Sequence, residues 1–203
     1  MIGNDIIDLQ LAARQSNWKR KGFLDKLFSQ EEQCLVFDSA APFRMVWKLW
    51  SMKESAYKVH VRKTGERRFN PGRFSCEIMD QGKGLVHIDS QMYLTITEAQ
   101  KDFIHTMARD PSFEQGLISH TTMIPGGGDP GRILRRSLVR DLAERREMSV
   151  EGLQVKKNGL QIPELYVHNR KLKDLCSLSH HGRFGAYMLR LFSHQPLESV
   201  LQG

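Results

Sequence analysis

Eight residues, PGGGDPGR at positions 125–132, constrain the fold of this chain more than any other stretch. Four glycines and two prolines in so short a run make a turn or a linker, the clearest break in the sequence. A phosphate-cradling loop is the sharper alternative, but the Lys-Ser/Thr pair that completes a P-loop is missing. The run therefore reads as a linker. Asp129 followed by Pro130 makes a good N-cap and first helical residue, so a helix is expected to begin there. A chain of 203 residues can bury a core as one domain or as two small lobes. The break divides it into a first lobe over 1–124, a linker over 125–131 and a second lobe over 132–203.

Each side carries helix and strand signals of its own. Before the break, a strand over 2–9 leads into helical segments over 23–36 and 43–62. In the longer segment Met45, Leu49, Met52, Ala56 and Val59 recur at intervals of three and four, the core stripe of an amphipathic helix. Two hairpin patterns follow, 74–79 with 84–88 across Asp80-Gln81-Gly82-Lys83, and 92–97 with 103–108. After the break come an arginine-rich helix over 132–146, strands near 153–156, 164–167 and 176–179, and a last strand over 185–192. In that helix Leu134, Leu138 and Leu142 form an apolar row beside the charged row Arg132, Arg136 and Arg140, with Arg135 next to it. Such a charged row is ordinarily a solvated face. The predicted fold is α+β in two lobes, each with helix and strands.

Composition narrows the setting. The opening residues, MIGNDIIDLQ, carry two aspartates where a secretion signal needs a basic and then an apolar run. No run approaches the length needed to span a bilayer, so a cytoplasmic location without membrane contact is expected. Cys34, Cys76 and Cys176 are odd in number, far apart and form no CxxC, which fits reduced thiols better than disulfides or a cysteine zinc site. A net charge of +7 and a pI near 9.5 suggest a polyanionic partner. Nucleic acid, phosphorylated cofactors and acidic proteins all meet that description. There is no aromatic–basic interleaving, zinc-finger spacing or long basic tail to favour nucleic acid.

Four clusters carry chemistry. Trp50, Glu54 and Lys58 fall on one i, i+4, i+8 row of a helix. Taken alone, Glu54 and Lys58 read as a solvated ion pair. In the opening strand Asp5 shares a face with Gly3 and Ile7, whereas Asp8 points to the other side. A carboxylate among apolar neighbours, as at Asp5, needs a partner or a metal to offset its desolvation. Asp5 and Glu54 can supply Mg²⁺ with two oxygen ligands, water and phosphate completing the shell. Lys58 can then neutralise phosphate charge or shuttle a proton. The run SLSHHG at 177–182 offers donors to a phosphate, with a glycine allowing close approach. Zinc on His180 and His181 is disfavoured, because neighbours in a strand point to opposite faces and no third ligand has suitable spacing. A structural role falls more naturally to His181. Arg132 differs from its row because free N–H groups in a first helical turn also favour anions.

Together these clusters resemble the 4′-phosphopantetheinyl transferase superfamily. The resemblance lies in an IGxDI-type strand (Ile2-Gly3-Asn4-Asp5-Ile6), an FSxxE segment from Phe28 to Glu32, a WxxKExxxK helix from Trp50 to Lys58, and an SxSHxG strand end from Ser177 to Gly182. It extends to the surfactin-synthetase-activating class. Residues 3–108 look like that class's C-terminal half and residues 132–192 like its N-terminal half, in reversed order, with 109–130 lacking a counterpart.

The resemblance implies two pseudo-symmetric α+β lobes, each a small antiparallel sheet with packed helices, and coenzyme A in the cleft between them. It makes Asp5 and Glu54 metal ligands, Lys58 the lysine at the reacting phosphate, and Lys53 part of the same signature. His180, preceded by Ser179, is matched to the histidine that binds the 3′-phosphate, and Arg132 to a nucleotide-contacting arginine. The implied activity is Mg²⁺-dependent (Mn²⁺ is the alternative ion). It transfers the phosphopantetheine arm from coenzyme A to a serine of an acidic apo carrier protein, releasing 3′,5′-ADP. The base is Glu54 or a metal-bound water. Three departures stand out: Ile7 replaces a second strand acid, Gln161-Ile162-Pro163 replaces a Gly-Lys-Pro turn, and a basic segment is missing before the second half. Arg14, Lys19, Arg20 and Lys21 are candidate carrier contacts. A monomer is expected, with a homotrimer as the alternative. The rival function is a non-catalytic protein that binds a carrier or nucleic acid.

Overall fold

Two five-stranded antiparallel sheets carry the fold. The computed structural model describes residues 1–80, 82–112 and 116–192; Gln81 of the expected turn and residues 193–203 of the expected second lobe lie outside them. In chain order the first lobe contains β1 (Ile2–Asp8), α1 (Leu9–Gln15), α2 (Phe23–Leu27), α3 (Gln30–Phe37), α4 (Pro42–Thr64), β2 (Ser75–Ile78), β3 (Lys83–Ile88), β4 (Gln91–Ala99) and β5 (Phe103–Arg109). Its sheet has the order β1-β5-β4-β3-β2. The second lobe contains β6 (Leu117–Met123), α5 (Pro130–Arg145), β7 (Leu153–Lys157), β8 (Pro163–Val167), β9 (Arg170–His181) and β10 (Phe184–Arg190), ordered β6-β10-β9-β8-β7. Both sheets follow one plan: a leading strand, helix, then a four-strand meander whose last strand closes on the first.

The glycine run is not the boundary between the lobes. β6 lies before it in sequence yet pairs antiparallel with β10, Leu117 opposite Arg190 and Met123 opposite Phe184. The linker placed at 125–131 is thus the turn from β6 into α5, inside the second lobe, and the crossing between sheets falls between Arg109 and Leu117. Asp129 does cap α5, its side chain accepting from the Arg132 N–H at 3.2 Å.

Helical periodicity sets the two cores. Leu49, Met52, Ala56 and Val59 on α4 are fully buried against Val86, Tyr93 and Ile104 of the first sheet. Leu134, Leu138 and Leu142 on α5 are equally buried against Leu165, Cys176 and Leu189. The helical segment expected over 23–36 is broken between α2 and α3, because Ser29 and Glu32 form a capping box that starts α3.

The lobes meet along β1, an edge strand of its sheet. An edge strand exposes alternate N–H groups. Here Asn4 N–H donates to Ser177 Oγ at 3.1 Å, Ile6 N–H to Ser179 Oγ at 3.2 Å, and Asp8 N–H to His181 Nδ1 at 3.0 Å. Alternate residues of β9 therefore satisfy alternate residues of β1. At its end, the Asp8 carboxylate accepts from Arg183 Nε and Nη2, each at 2.8 Å, as well as capping α1. Arg183 holds the Asp8 carboxyl well below the usual carboxylate range. Gly182 has φ +54°, and a Cβ there would lie 2.5 Å from Asp8 Oδ2. Between the lobes Ile6, Phe184 and Ala186 form a small apolar cluster.

Candidate active site

β1 and α4 bring the acidic residues together because a glycine lets them touch. A Cβ on Gly3 would sit 2.4 Å from Ser55 O and 2.8 Å from Lys58 Cβ, so only glycine permits this approach. It seats Asp5 beside the Glu54–Lys58 face of α4. Ser51 Oγ donates to Asp5 O at 3.3 Å, and Lys58 Nζ donates to Asn4 O. Lys58 Nζ also lies 3.7 Å from Asp5 Oδ1.

Asp5, Trp50, Glu54, Lys58, Ser179 and His180 line one cleft of about 590 Å³ between the lobes. The row predicted on α4 is thus turned towards the other lobe rather than towards bulk water. Burial raises the pKa of Asp5, partly opposed by Lys58 and by the Ser179 hydroxyl. Burial likewise pushes Glu54 up to about 7, with the Asp5 charge adding to it and Lys58 opposing. Two neighbouring carboxylates each held above their ordinary range describe a site short of positive charge. Asp5 Oδ2 is buried and has no hydrogen-bond partner among the described residues. Asp5 and Glu54 therefore fit a hard divalent cation through two oxygens, the remainder of its shell coming from water and phosphate. No group of three or more His, Cys, Asp or Glu side chains suited to a metal occurs among the described residues, consistent with Ile7 replacing the second strand acid.

A second cavity, of about 420 Å³, opens from the same place, with Lys58, Leu178 and His180 lining both. Its walls carry Lys58, Arg62, Arg67, Arg135, Lys157 and His180. Gln161, Ile162 and Pro163 also line it, so the turn without a lysine has Lys157 four residues before it on β7. Arg62 is the least expected of these residues. It continues the α4 row one turn beyond Lys58 and crosses to the second lobe, donating to Cys176 O and to Pro163 O at 3.5 Å. Burial lowers its pKa, and it makes no ion pair with a carboxylate among the described residues. Arg62 is half-buried and Glu164 only partly offsets its desolvation, so an incoming anion would stabilise it further.

Three expected contacts are corrected. Lys53 does not reach the cleft: it is fully buried, and its Nζ donates to Glu32 Oε2 at 2.7 Å, Leu27 O at 2.7 Å and Pro71 O at 3.0 Å. All three ammonium protons are used within the lobe, leaving none for a cofactor. Ser179 gives its hydroxyl proton to Asp5 Oδ1 at 3.0 Å while accepting from Ile6 N–H, so its hydroxyl is spent on orienting the acid. Arg132 is exposed and lines a different groove, and Arg135, one turn on, is the α5 arginine in the cleft. His180 is exposed and lines the cleft, and His181 Nδ1 accepts the Asp8 N–H across the lobe interface. Arg62, Arg135 and Lys157 were missed as cleft residues. The i+4 continuation from Lys58 was the available signal for Arg62.

The class of the protein is that of a two-lobed α+β fold with paired acids and a row of cations in the cleft between lobes. A family model described as the 4′-phosphopantetheinyl transferase superfamily matches residues 1–108, more than half of the chain, and the chain belongs to that superfamily. It is a phosphopantetheinyl transferase. A holo-[acyl-carrier-protein] synthase from Helicobacter pylori, solved in complex with coenzyme A, aligns with a TM-score of 0.44 and 15% identity, covering 53% of this chain and 97% of that one. The holo-[acyl-carrier-protein] synthase of Thermotoga maritima aligns at 0.42 and 11%, covering 84% and 83%. No curated protein matches significantly. No helix among the described residues is long and apolar enough to cross a membrane.

Proposed function

We propose that the chain transfers the 4′-phosphopantetheine arm of coenzyme A to a serine hydroxyl of an acidic apo carrier protein, releasing 3′,5′-ADP. The observation that carries this reading is the convergence of Asp5, Glu54 and Lys58 in a cleft that runs into a cavity walled by Arg62, Arg135, Lys157 and His180. The cation-lined cavity suits the phosphorylated nucleotide end, with His180 and Lys157 candidates for the 3′-phosphate. The pyrophosphate then lies at the junction, against Lys58. Mg²⁺ held by Asp5 and Glu54 would supply charge neutralisation at the pyrophosphate as the P–O bond breaks.

The residues of the chain divide the remaining work. The serine oxygen forms a bond to the phosphorus bearing the pantetheine arm, and the bond from that phosphorus to the 3′,5′-ADP oxygen breaks. Glu54, facing the cleft beside Asp5 and Lys58, or a water on the ion it would help hold, takes the serine proton. Lys58 balances the charge that builds on the departing phosphate. Ser179 and Lys58 hold Asp5 in place, and the Trp47 and Trp50 side chains restrict water on the cleft's apolar wall. Exposed Arg14, Lys19, Arg20 and Lys21, beside the mouth of the cleft, are suited to steer an acidic carrier towards it. Both lobes of one chain line the cleft, so a monomer suffices.

Incubating apo carrier proteins with coenzyme A and Mg²⁺, and reading the carrier mass, tests this. The expected result is a carrier heavier by one phosphopantetheine, lost when the metal is chelated. An unchanged carrier mass across fatty-acid, polyketide and peptide-synthetase carriers, from a folded protein that still binds coenzyme A, would leave only the binding function.

A further inference from the structure

A groove on the second lobe is lined by five cations without an anion. α5 contributes Arg132, Arg135, Arg136 and Arg140 and β7 contributes Lys156, around a volume of about 610 Å³. None of the four arginines makes an ion pair among the described residues, although α5 has acids of its own. Asp141 instead pairs with Arg145 at 2.5 Å and accepts from the Tyr187 hydroxyl at 3.1 Å. Lys156 has neutral partners only: Nζ donates to Asn169 Oδ1 at 2.7 Å and lies 5.2 Å from the centre of the Tyr166 ring.

This arrangement works against the helix that bears it. Arg132, Arg136 and Arg140 are spaced at i, i+4 and i+8, where like charges repel. Arg132 also sits in the first turn of α5, where the helix dipole disfavours a cation and the capping Asp129 carboxylate offsets this only in part. An anionic ligand in the groove would ease the repulsion along the row and what remains of the dipole penalty.

The floor narrows the class of ligand. Val139, Leu153 and Val155 line it, and Val150 at its rim is 53% exposed. No aromatic side chain is present to stack a base, as single-stranded nucleic acid binding requires. The arginine row from 132 to 140 spans about 12 Å at the rise of an α-helix, the length of two turns of a facing helix. We propose that the groove docks an acidic amphipathic helix of a protein partner. Its carboxylates lie on Arg132, Arg136 and Arg140 and its apolar side on Val139, Val150 and Leu153. The docking site does not depend on the transfer reaction, since the groove and the nucleotide cavity share only Arg135 and Val155.

The test is fluorescence anisotropy of a labelled amphipathic peptide, glutamates along one face and leucines along the other, titrated with the full chain. The Arg136→Glu/Arg140→Glu variant is expected to bind at least about tenfold more weakly, and raised salt to weaken the native protein similarly. Reversing two exposed lysines elsewhere, Lys101→Glu/Lys173→Glu, is expected to change affinity by no more than about twofold. Circular dichroism confirms that both variants remain folded. Equal losses in the two variants would reduce the effect to bulk charge and overturn the proposal. So would undiminished binding of a peptide with serines in place of its leucines, or displacement of the peptide by a single-stranded oligonucleotide of equal charge at lower concentration.

Discussion

Lys53 Nζ lies 2.7 Å from Glu32 Oε2, and both side chains are closed off from solvent. Glu32 is saturated: Oε2 also accepts from Ser29 N–H at 2.8 Å, and Oε1 from Cys76 N–H at 2.7 Å. The Phe28 ring lies 5.1 Å below the ammonium. The FSxxE segment and the lysine of the KES helix are therefore two halves of one buried structural contact. It ties α3, α4 and β2 together and stands apart from the cleft.

Breaking that contact from one side should be costly. Lys53→Met leaves an uncompensated buried carboxylate and two orphaned carbonyls, and a loss of about 3–5 kcal/mol is expected in urea unfolding. Glu32→Leu combined with Lys53→Met should recover part of it. At a temperature where the single variant stays folded, its KM for coenzyme A should match the native value. A raised KM with undiminished stability would return Lys53 to the substrate.

Ser177 and Ser179 differ by one hydrogen bond, which makes them a matched pair. Each accepts a β1 N–H across the lobe interface, but only Ser179 also donates to Asp5. Ser177→Ala and Ser179→Ala should each destabilise the chain by about 1–3 kcal/mol, the cost of leaving a buried N–H unpaired. Transfer activity should fall only in Ser179→Ala. Equal kinetic losses would mean that lobe docking, and not orientation of Asp5, controls the rate.

Those residues mark how far sequence reading reaches. The α4 stripe and the Leu134–Leu138–Leu142 row were legible because burial repeats with the helical period. The Asp5–Glu54–Lys58 grouping was reached from the chemistry of those residues and then matched to the family resemblance. The Gly3 contact is what lets β1 and α4 approach closely enough to form it. β6, LISHTTM, was missed because it borders the second sheet with its outer side in solvent, so it lacks a continuous apolar alternation. The glycine run then drew the boundary to itself. Lys53 and Ser179, expected at the cofactor, meet protein groups instead, and for a common reason. A motif records that a polar side chain is fixed, without recording whether its partner is a ligand or the protein.

Gly3→Ala should show the cost of the α4 approach. The added Cβ meets backbone at Ser55 O and the base of the Lys58 side chain, neither of which can swing away. Separation of β1 from α4 should cost about 1–3 kcal/mol, as overpacking does. Because Asp5 and Lys58 move with those elements, activity should fall by more than the folded fraction does. Comparing the calorimetric midpoint with kcat in the same preparation separates the two effects.

Glu54→Gln should do the opposite. It removes a desolvated carboxylate that is further raised by the charge on Asp5. The thermal midpoint should be unchanged or rise, equivalent to at most about 1–2 kcal/mol of added stability. Carrier loading should meanwhile fall by about 10²–10⁴-fold, the scale of a lost general base. A variant that loads carriers at the native rate would remove Glu54 from the reaction.

His105 should contribute an acid-destabilising limb on the approach to pH 4. It is opposed in the same window by Glu54 and Asp5, whose raised pKa values make the folded chain the better proton binder there. The imidazole is fully buried opposite Ile6, with Nε2 3.3 Å from Asn4 Nδ2. Burial, reinforced by the Lys58 charge, lowers its pKa from 6.5 to about 4. The unfolded chain therefore binds this proton more readily than the folded one. Its contribution to stability is present in full above about pH 6.5 and is lost as pH falls towards about 4, where the penalty levels off. The difference corresponds to a loss on the order of 3 kcal/mol across that window. His105→Gln, neutral throughout, should lower stability at pH 8, yet its urea midpoint should shift towards that of the native protein as pH falls from 7 to 4, because only the native chain carries the His105 penalty. A slope as steep as that of the native protein would assign the acid limb to other groups, with the Asp8–Arg183 contact acting only at still lower pH because its folded pKa is depressed.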